Sequence, residues 1–354
     1  MAADESTGRS NVSAAHSRWA VIQLLLGAMV IGLAPLLVRW SSVGPSATAA
    51  WRMVLSAPLF GLALLWSLRS GGLSRNGLLC HWRLVRQCSQ PAAQDIGGQA
   101  ASGTEGTSAW GPLSLRPADW LLLVLPGLAF AGDLSFWHRS LALTSVANAT
   151  LFTNCAPIFV ALAAWLLLKE RLRWTYWQGL LLAIGGACMV SLLRPGGNGI
   201  STSLTGDGFG IASGLFYAGY ILAIKSVRRR FSTLTVMFLT AAVSGIVLFM
   251  VAGSLGERIW PTDGRTWADM IALALFIQTV GQGLIVHAMR RLPASLASVS
   301  VMLQIVVATA AGWVFLPNES VGLWQGLGGV LIMLGIFRVQ STYAAGEAAI
   351  APAE

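Results

Sequence analysis

The chain has 354 residues, of which 55% are hydrophobic and only 10% charged. A water-soluble domain carries about 25% charged residues, so this composition excludes a fully water-facing surface and calls for a lipid-facing one. The formal net charge of +9 is no sign of nucleic acid, because basic residues beside membrane spans set orientation.

In chain order, residues 1–18 form a polar tail. The first apolar run, 19–40, is too long for the core of a cleaved signal peptide and leads directly into a second run. Further runs are predicted at 46–68, 119–138, 145–168, 176–193, 207–226, 234–254, 267–287, 295–316 and 321–340, followed by a tail at 341–354. Crossing a bilayer core takes about 20 mostly apolar residues. The runs are continuous rather than alternating, which argues for helices over barrel strands. The predicted fold is an all-α membrane protein with ten transmembrane helices.

Two connections interrupt the pattern. Residues 69–118 form a long loop whose start, LLCHWRLVRQC (78–88), has the basic and apolar mix of a short surface helix; 89–111 reads as a disordered stretch rich in Gly, Ser, Ala and Gln. RPGGNGISTSLTGDG (194–208) contains the linker, placed at 194–206, between two halves, 19–193 and 207–340.

The halves share landmarks. His138, Leu143 and Glu170 are answered by His287, Leu292 and Glu319, each 149 positions later, and Trp177-Gln178-Gly179 by Trp324-Gln325-Gly326 at 147. Residue identity between the halves is low; the order of the landmarks carries the repeat. Five helices is an odd number, so a second copy enters the membrane from the opposite side. The basic residues agree. Lys169, Arg171 and Arg173 follow the fourth helix, whereas PNES after the ninth has none; the connection after helix three holds only Arg139, but Arg290 and Arg291 follow helix eight. Allocating the 23 basic residues by the positive-inside rule places both termini in the cytoplasm, and a cell (inner) membrane is the expected location.

Two opposed five-helix halves, each with Glu closing its fourth helix and Gln-Gly opening its fifth, resemble EamA-type members of the drug/metabolite transporter superfamily. The most family-like segment is LALTSVANATLFTNCAPIFVALAAWLLLKERLRWTYWQGLLLAIGGACMV (141–190), and Gly44-Pro45 and Arg52 fit as well. The loop 69–118 is longer than the family pattern. The resemblance implies a carrier for amino acids, metabolites, drugs or nucleotide-linked compounds, without choosing among them.

Charges inside spans are costly and often functional. Arg52 in helix two and Asp133 in helix three fall at similar depths, which makes an ion pair geometrically possible. Asp133 is a candidate proton-coupling residue and Arg52 a candidate anchor for a substrate carboxylate; the bland alternative is a fixed structural pair. Pocket candidates are Asn148 and Asn154 in helix four, Gln278 and Gln282 in helix eight and Gln304 in helix nine, with Trp137, Tyr217 and Tyr220 as aromatic walls. Interhelical hydrogen bonding accounts for the same polar residues equally well. His138 is a candidate gate residue. Glu170, Gln178, Gly179, Glu319, Gln325 and Gly326 read as markers of the repeat rather than as site.

No phosphate-binding loop for ATP is present, Cys80, His81 and Cys88 fall short of a metal ligand set, and no cofactor or catalytic cluster is expected. The predicted function is a secondary carrier working by alternating access, exporting a small metabolite, amino acid or drug-like compound. A nucleotide-sugar or organic-anion exchanger is the main rival, ahead of a channel or an intramembrane enzyme. Expected partners are a small-molecule substrate, the bilayer and a coupling ion such as a proton; the sequence does not set the oligomeric state.

Overall fold

The computed structural model describes residues 18–39, 41–69, 117–143, 152–167, 169, 172–192, 203–315 and 322–350. Secondary structure among them is helical throughout. Eight helices are long and apolar enough to cross a membrane. These are α1 (Arg18–Val38), α2 (Pro45–Arg69), α3 (Pro117–Leu143), α6 (Leu204–Val227), α7 (Thr233–Ser254), α8 (Gly264–Ala288), α9 (Ala294–Phe315) and α10 (Leu323–Ile350). Two more lie between α3 and α6: α4 (Ala156–Leu167), apolar but only 12 residues, and α5 (Trp174–Leu192).

Local chemistry sets the ends. Pro45 occupies the first position of α2, where its missing N–H costs nothing. The side chains of Ser203, Ser232 and Asp263 cap α6, α7 and α8 by accepting from N–H groups three residues on. Gln325 reaches back to accept from the Gly322 N–H at 2.8 Å, half of a capping box for α10. Lys169 takes φ 55°, a left-handed conformation just past α4 that is usually filled by Gly.

Three boundaries differ from the expected ones. Helix α3 runs to Leu143, so His138 lies within it rather than at its end. Helix α10 continues to Ile350 through Ala-rich sequence that favours helix. Helix α4 is preceded by the helical residues 152–153 and a break at Asn154-Cys155.

The helices pack through small residues. Helices α5 and α10 run antiparallel, with Gly179 facing Gly335 and Gly186 facing Gly328; a Cβ on Gly328 would stand 2.6 Å from the Gly186 carbonyl. Backbones approach this closely only where side chains are absent. Helices α2 and α7 are also antiparallel, with Gly245 against Val54 and Gly61 against Phe238. Helix α3 lies antiparallel to α6, and α1 lies against α8, where a Cβ on Gly27 would sit 2.7 Å from the Gly281 carbonyl. Helix α4 touches α6, and α1 touches α9.

Helices α4 and α9 are interrupted in the same manner. Cys155 N–H bonds Phe152 O (3.2 Å) and Ile158 N–H bonds Cys155 O (2.9 Å). Met302 N–H bonds Val299 O (3.1 Å) and Ile305 N–H bonds Met302 O (3.0 Å). The short bonds fall 147 positions apart, the offset of the Trp-Gln-Gly landmarks. A further irregularity is the wide π-helical stretch Leu273–Gln282 of α8, where Thr279 Oγ1 donates to the Ala274 carbonyl five residues back.

One end of the bundle is clasped. The turn between α1 and α2 meets the connection between α7 and α8. Ser42 Oγ donates to Asp263 Oδ1 (2.9 Å) and lies 2.8 Å from Thr266 Oγ1. Ala47 N–H donates to Glu257 Oε2 (3.1 Å), Gly44 N–H to Arg258 O (3.0 Å) and Trp51 Nε1–H to Ile259 O (2.8 Å). The Trp51 ring packs edge-on to Phe249, Trp260 and Trp267.

Candidate functional site

Polar side chains from α2, α3, α6 and α8 meet inside the bundle. Arg52 on α2 is 9% exposed and gives Nε–H and an Nη2–H to Gln278 Oε1 at 3.0 and 2.8 Å. Its guanidinium lies 5.8 Å from the centre of the Phe130 ring. Phe130 on α3 stacks on Tyr220 of α6 at 4.7 Å, and Tyr217 lies 6.1 Å from Tyr220. Gln282 Nε2 donates to the Tyr220 hydroxyl at 2.7 Å. Asp133 on α3, 6% exposed, accepts from Ser213 Oγ of α6 at 2.7 Å, and Ser213 lies 3.1 Å from Thr153 Oγ1.

Arg52 and Asp133 thus share one polar cluster, but each has its own hydrogen-bond partner. The π-helical stretch presents Gln278 to the Arg52 fork, while the antiparallel contact of α3 and α6 brings Ser213 to Asp133. Gly132, beside Asp133, matters to that contact: a Cβ there would strike the Phe216 ring of α6.

The other predicted residues divide. His138 is buried and its Nδ1 bonds the Leu134 carbonyl at 2.6 Å, a turn back along its own helix. Trp137 is half-buried beside it, ring centres 5.0 Å apart. Asn154 lies at the break before α4. Gln304 lies just after the break in α9, where its carbonyl is 2.8 Å from the point a Cβ on Gly32 would occupy. Gln178 accepts from Arg338 Nε and Nη2 at 3.2 and 2.8 Å, tying α5 to α10. Gly179 faces Gly335, whereas the surroundings of Gly326 are open. Asn148, Glu170, Glu319 and the 78–88 stretch lie outside the described residues.

Several contributors carry no signal when read singly. Ser213 reads as one more small packing residue and Phe130 as core. Asp269, 8% exposed with Oδ2 unpartnered among the described residues, lies two residues inside the predicted start of its helix and so reads as an edge residue. Gln23 Oε1 and Thr240 Oγ1 are likewise buried without a partner. Buried polar atoms without partners are few in folded proteins, and each calls for an explanation.

At the end opposite the clasp, Lys225 Nζ donates to the Met289 carbonyl (3.2 Å) and to the Leu292 carbonyl. Arg228 Nε donates to Val286 O at 3.1 Å and Nη1 to Phe231 O. These cations sit where α8 ends and its carbonyls lack helical partners. Burial, with Arg290 nearby, lowers the Arg228 pKa to about 10, so it stays charged at neutral pH. Arg230 meets Asp119 of α3 at 3.3 Å.

Multiple apolar helices define an integral, multi-pass membrane protein, with a polar cluster in its interior. The EamA-like transporter family model matches residues 106–192 and 204–339, more than half of the chain. The chain belongs to this family and is a membrane transporter. It is 25% identical over 222 residues to the Pseudopaline exporter CntI of Pseudomonas aeruginosa, covering 62% of this chain and 75% of that one. It is 27% identical over 241 residues to the Uncharacterized transporter YcxC of Bacillus subtilis, covering 64% and 75%. A crystal structure of another protein superposes with TM-score 0.68 over 93% of this chain and 98% of that one. The identity there is 18%, so that likeness concerns fold alone.

Proposed function

We propose that the chain is a secondary carrier that exports a small metabolite, amino acid or drug-like compound by alternating access, built from two inverted five-helix repeats. The observation that carries this reading is the polar cluster itself. Arg52 and Asp133 come from the first half, Ser213, Tyr220, Gln278 and Gln282 from the second, so solute held there touches both. Carriers of inverted-repeat design bind between their halves. The packing supports inversion: α2 and α7, and α5 and α10, are equivalent helices that lie antiparallel, as a two-fold axis in the membrane plane requires. The matching breaks in α4 and α9 support it further. Export is favoured by a relative named as an exporter.

In this reading both termini face the cytoplasm of a cell membrane and the clasp between the α1–α2 turn and the α7–α8 connection closes the far side. Asp133 loses and regains a proton as the site changes sides, and Ser213 holds its carboxylate in place. A nucleotide-sugar exchanger is less well supported, because one cation, Arg52, stands in the cluster as described. A channel has no need of a clasp that ties the halves together.

The test is flux from proteoliposomes containing the full chain, screened against metabolites that accumulate in cells lacking the gene. Saturable flux accelerated by solute on the opposite side is expected. Fast, non-saturating flux identifies a channel and overturns the carrier reading.

A further inference from the structure

We infer that Arg52 and Gln278 act as one unit that grips a carboxylate of the transported solute, with the Gln278 side-chain N–H groups as its second jaw. The inference rests on the carrier reading above and names the chemistry of its site.

Hydrogen-bond capacity leads to it. A guanidinium has five N–H donors and no acceptor. Arg52 spends two of them on Gln278 Oε1. That contact also fixes the amide, since only its oxygen can face a guanidinium. Nε2 must therefore point away from Arg52. It is buried, on a side chain with no solvent exposure, and meets no acceptor among the described residues. Buried donors without acceptors are rare and costly. Arg52 Nη1 has no acceptor among the described residues either, and Asp133 Oδ1 accepts from Ser213.

The unit therefore presents donors on two adjacent groups, one carrying a full positive charge. The complement is a planar group with two acceptor oxygens and one negative charge, which is a carboxylate. A single cation suits it better than a phosphate ester. Phe130 beneath the guanidinium and Tyr220 stacked upon Phe130 supply an apolar wall for the rest of the solute.

Benzoate and benzamide serve as probes, since they share a ring and differ in whether the polar end is a carboxylate or a neutral amide. Thermal unfolding of the full chain in lipid nanodiscs is followed as each is added. Benzoate is expected to raise the melting midpoint in a saturable manner and benzamide to leave it unmoved. Gln278→Glu separates the two roles of this side chain. It keeps an acceptor for Arg52 but removes both donors and adds a repelling charge. The variant is expected to melt near wild type and to need at least about tenfold more benzoate, the scale of one lost charge-assisted hydrogen bond. If Gln278→Glu melts lower, Gln278→Met, which drops the donors without adding charge, takes its place.

Equal effects of benzoate and benzamide, no effect of either, or undiminished benzoate binding in the variant would overturn the inference. Solute flux is measured on the same preparations. Flux and solute preference unchanged in Gln278→Glu sink the clamp and leave the carrier reading standing. Benzoate binding with no saturable flux of any solute sinks the carrier reading and leaves the carboxylate site in place.

Discussion

At the scale of residues, Asp133 carries the sharpest expectation. An Asn in its place still accepts from Ser213 Oγ but cannot ionise. Asp133→Asn is expected to insert and fold, retain solute exchange and lose proton-driven accumulation. Wild-type accumulation with unchanged pH dependence in proteoliposomes refutes the coupling role. Ser213→Ala leaves the buried carboxylate short of a partner, at a cost of about 1–3 kcal/mol, so a lowered melting midpoint is expected together with weakened coupling. An unchanged midpoint would show that the bond contributes nothing. The sequence singled out Arg52 and Asp133 because ionisable side chains inside apolar runs are conspicuous. It was silent on Ser213 and Phe130, because a serine or phenylalanine inside a membrane helix looks the same whether it packs or binds.

At the scale of elements, the clasp and the glycine seam can each be broken separately. Asp263 is exposed, and acceptance of bonds from the Thr266 side chain and backbone, and from Ser42, holds its pKa below the usual carboxylate range. A depressed pKa means its contribution is present above the ordinary carboxylate value and is lost as pH falls through the lower folded value. The fluorescence of the Trp51, Trp260 and Trp267 cluster should thus stay constant down to pH about 4 and change only below it. A transition near neutrality would rule out Asp263 as the controlling acid. The α5–α10 seam has no room for side chains. Gly186→Leu forces the helices apart and should cost at least about 1–3 kcal/mol, the usual penalty of overpacking; Gly326→Leu, in open surroundings, should be nearly silent. Equal melting points for the two variants would contradict the packing. Composition made glycine's part in helix contact foreseeable, but which glycine faces which depended on the pairing of helices far apart in the chain.

At the scale of the whole molecule, the proposed inversion makes the packing of α2 against α7 a place to look for movement. Val54→Cys with Gly245→Cys should cross-link on oxidation, since a Cβ at 245 stands 2.7 Å from the Val54 side chain. If α2 and α7 move during the cycle, oxidation arrests flux and a thiol reductant restores it. A pair that cross-links without slowing flux would place the moving parts elsewhere.

The sequence alone determined that the chain is helical and membrane-embedded, because lipid leaves a backbone few ways to satisfy its hydrogen bonds. The landmark order and the alternation of basic connections are what point to the proposed repeat, since lipid-facing composition and charge bias act locally along the chain. Only the tertiary structure decided which polar groups lie together. Arg52 and Gln278 are 226 residues apart and Asp133 and Ser213 are 80 apart. Their meeting depends on antiparallel packing at small residues and on the π-helical stretch that turns Gln278 inward, neither of which any local pattern encodes. That Gln278 Nε2 lacks an acceptor among the described residues is likewise a property of what surrounds it, which no local pattern encodes.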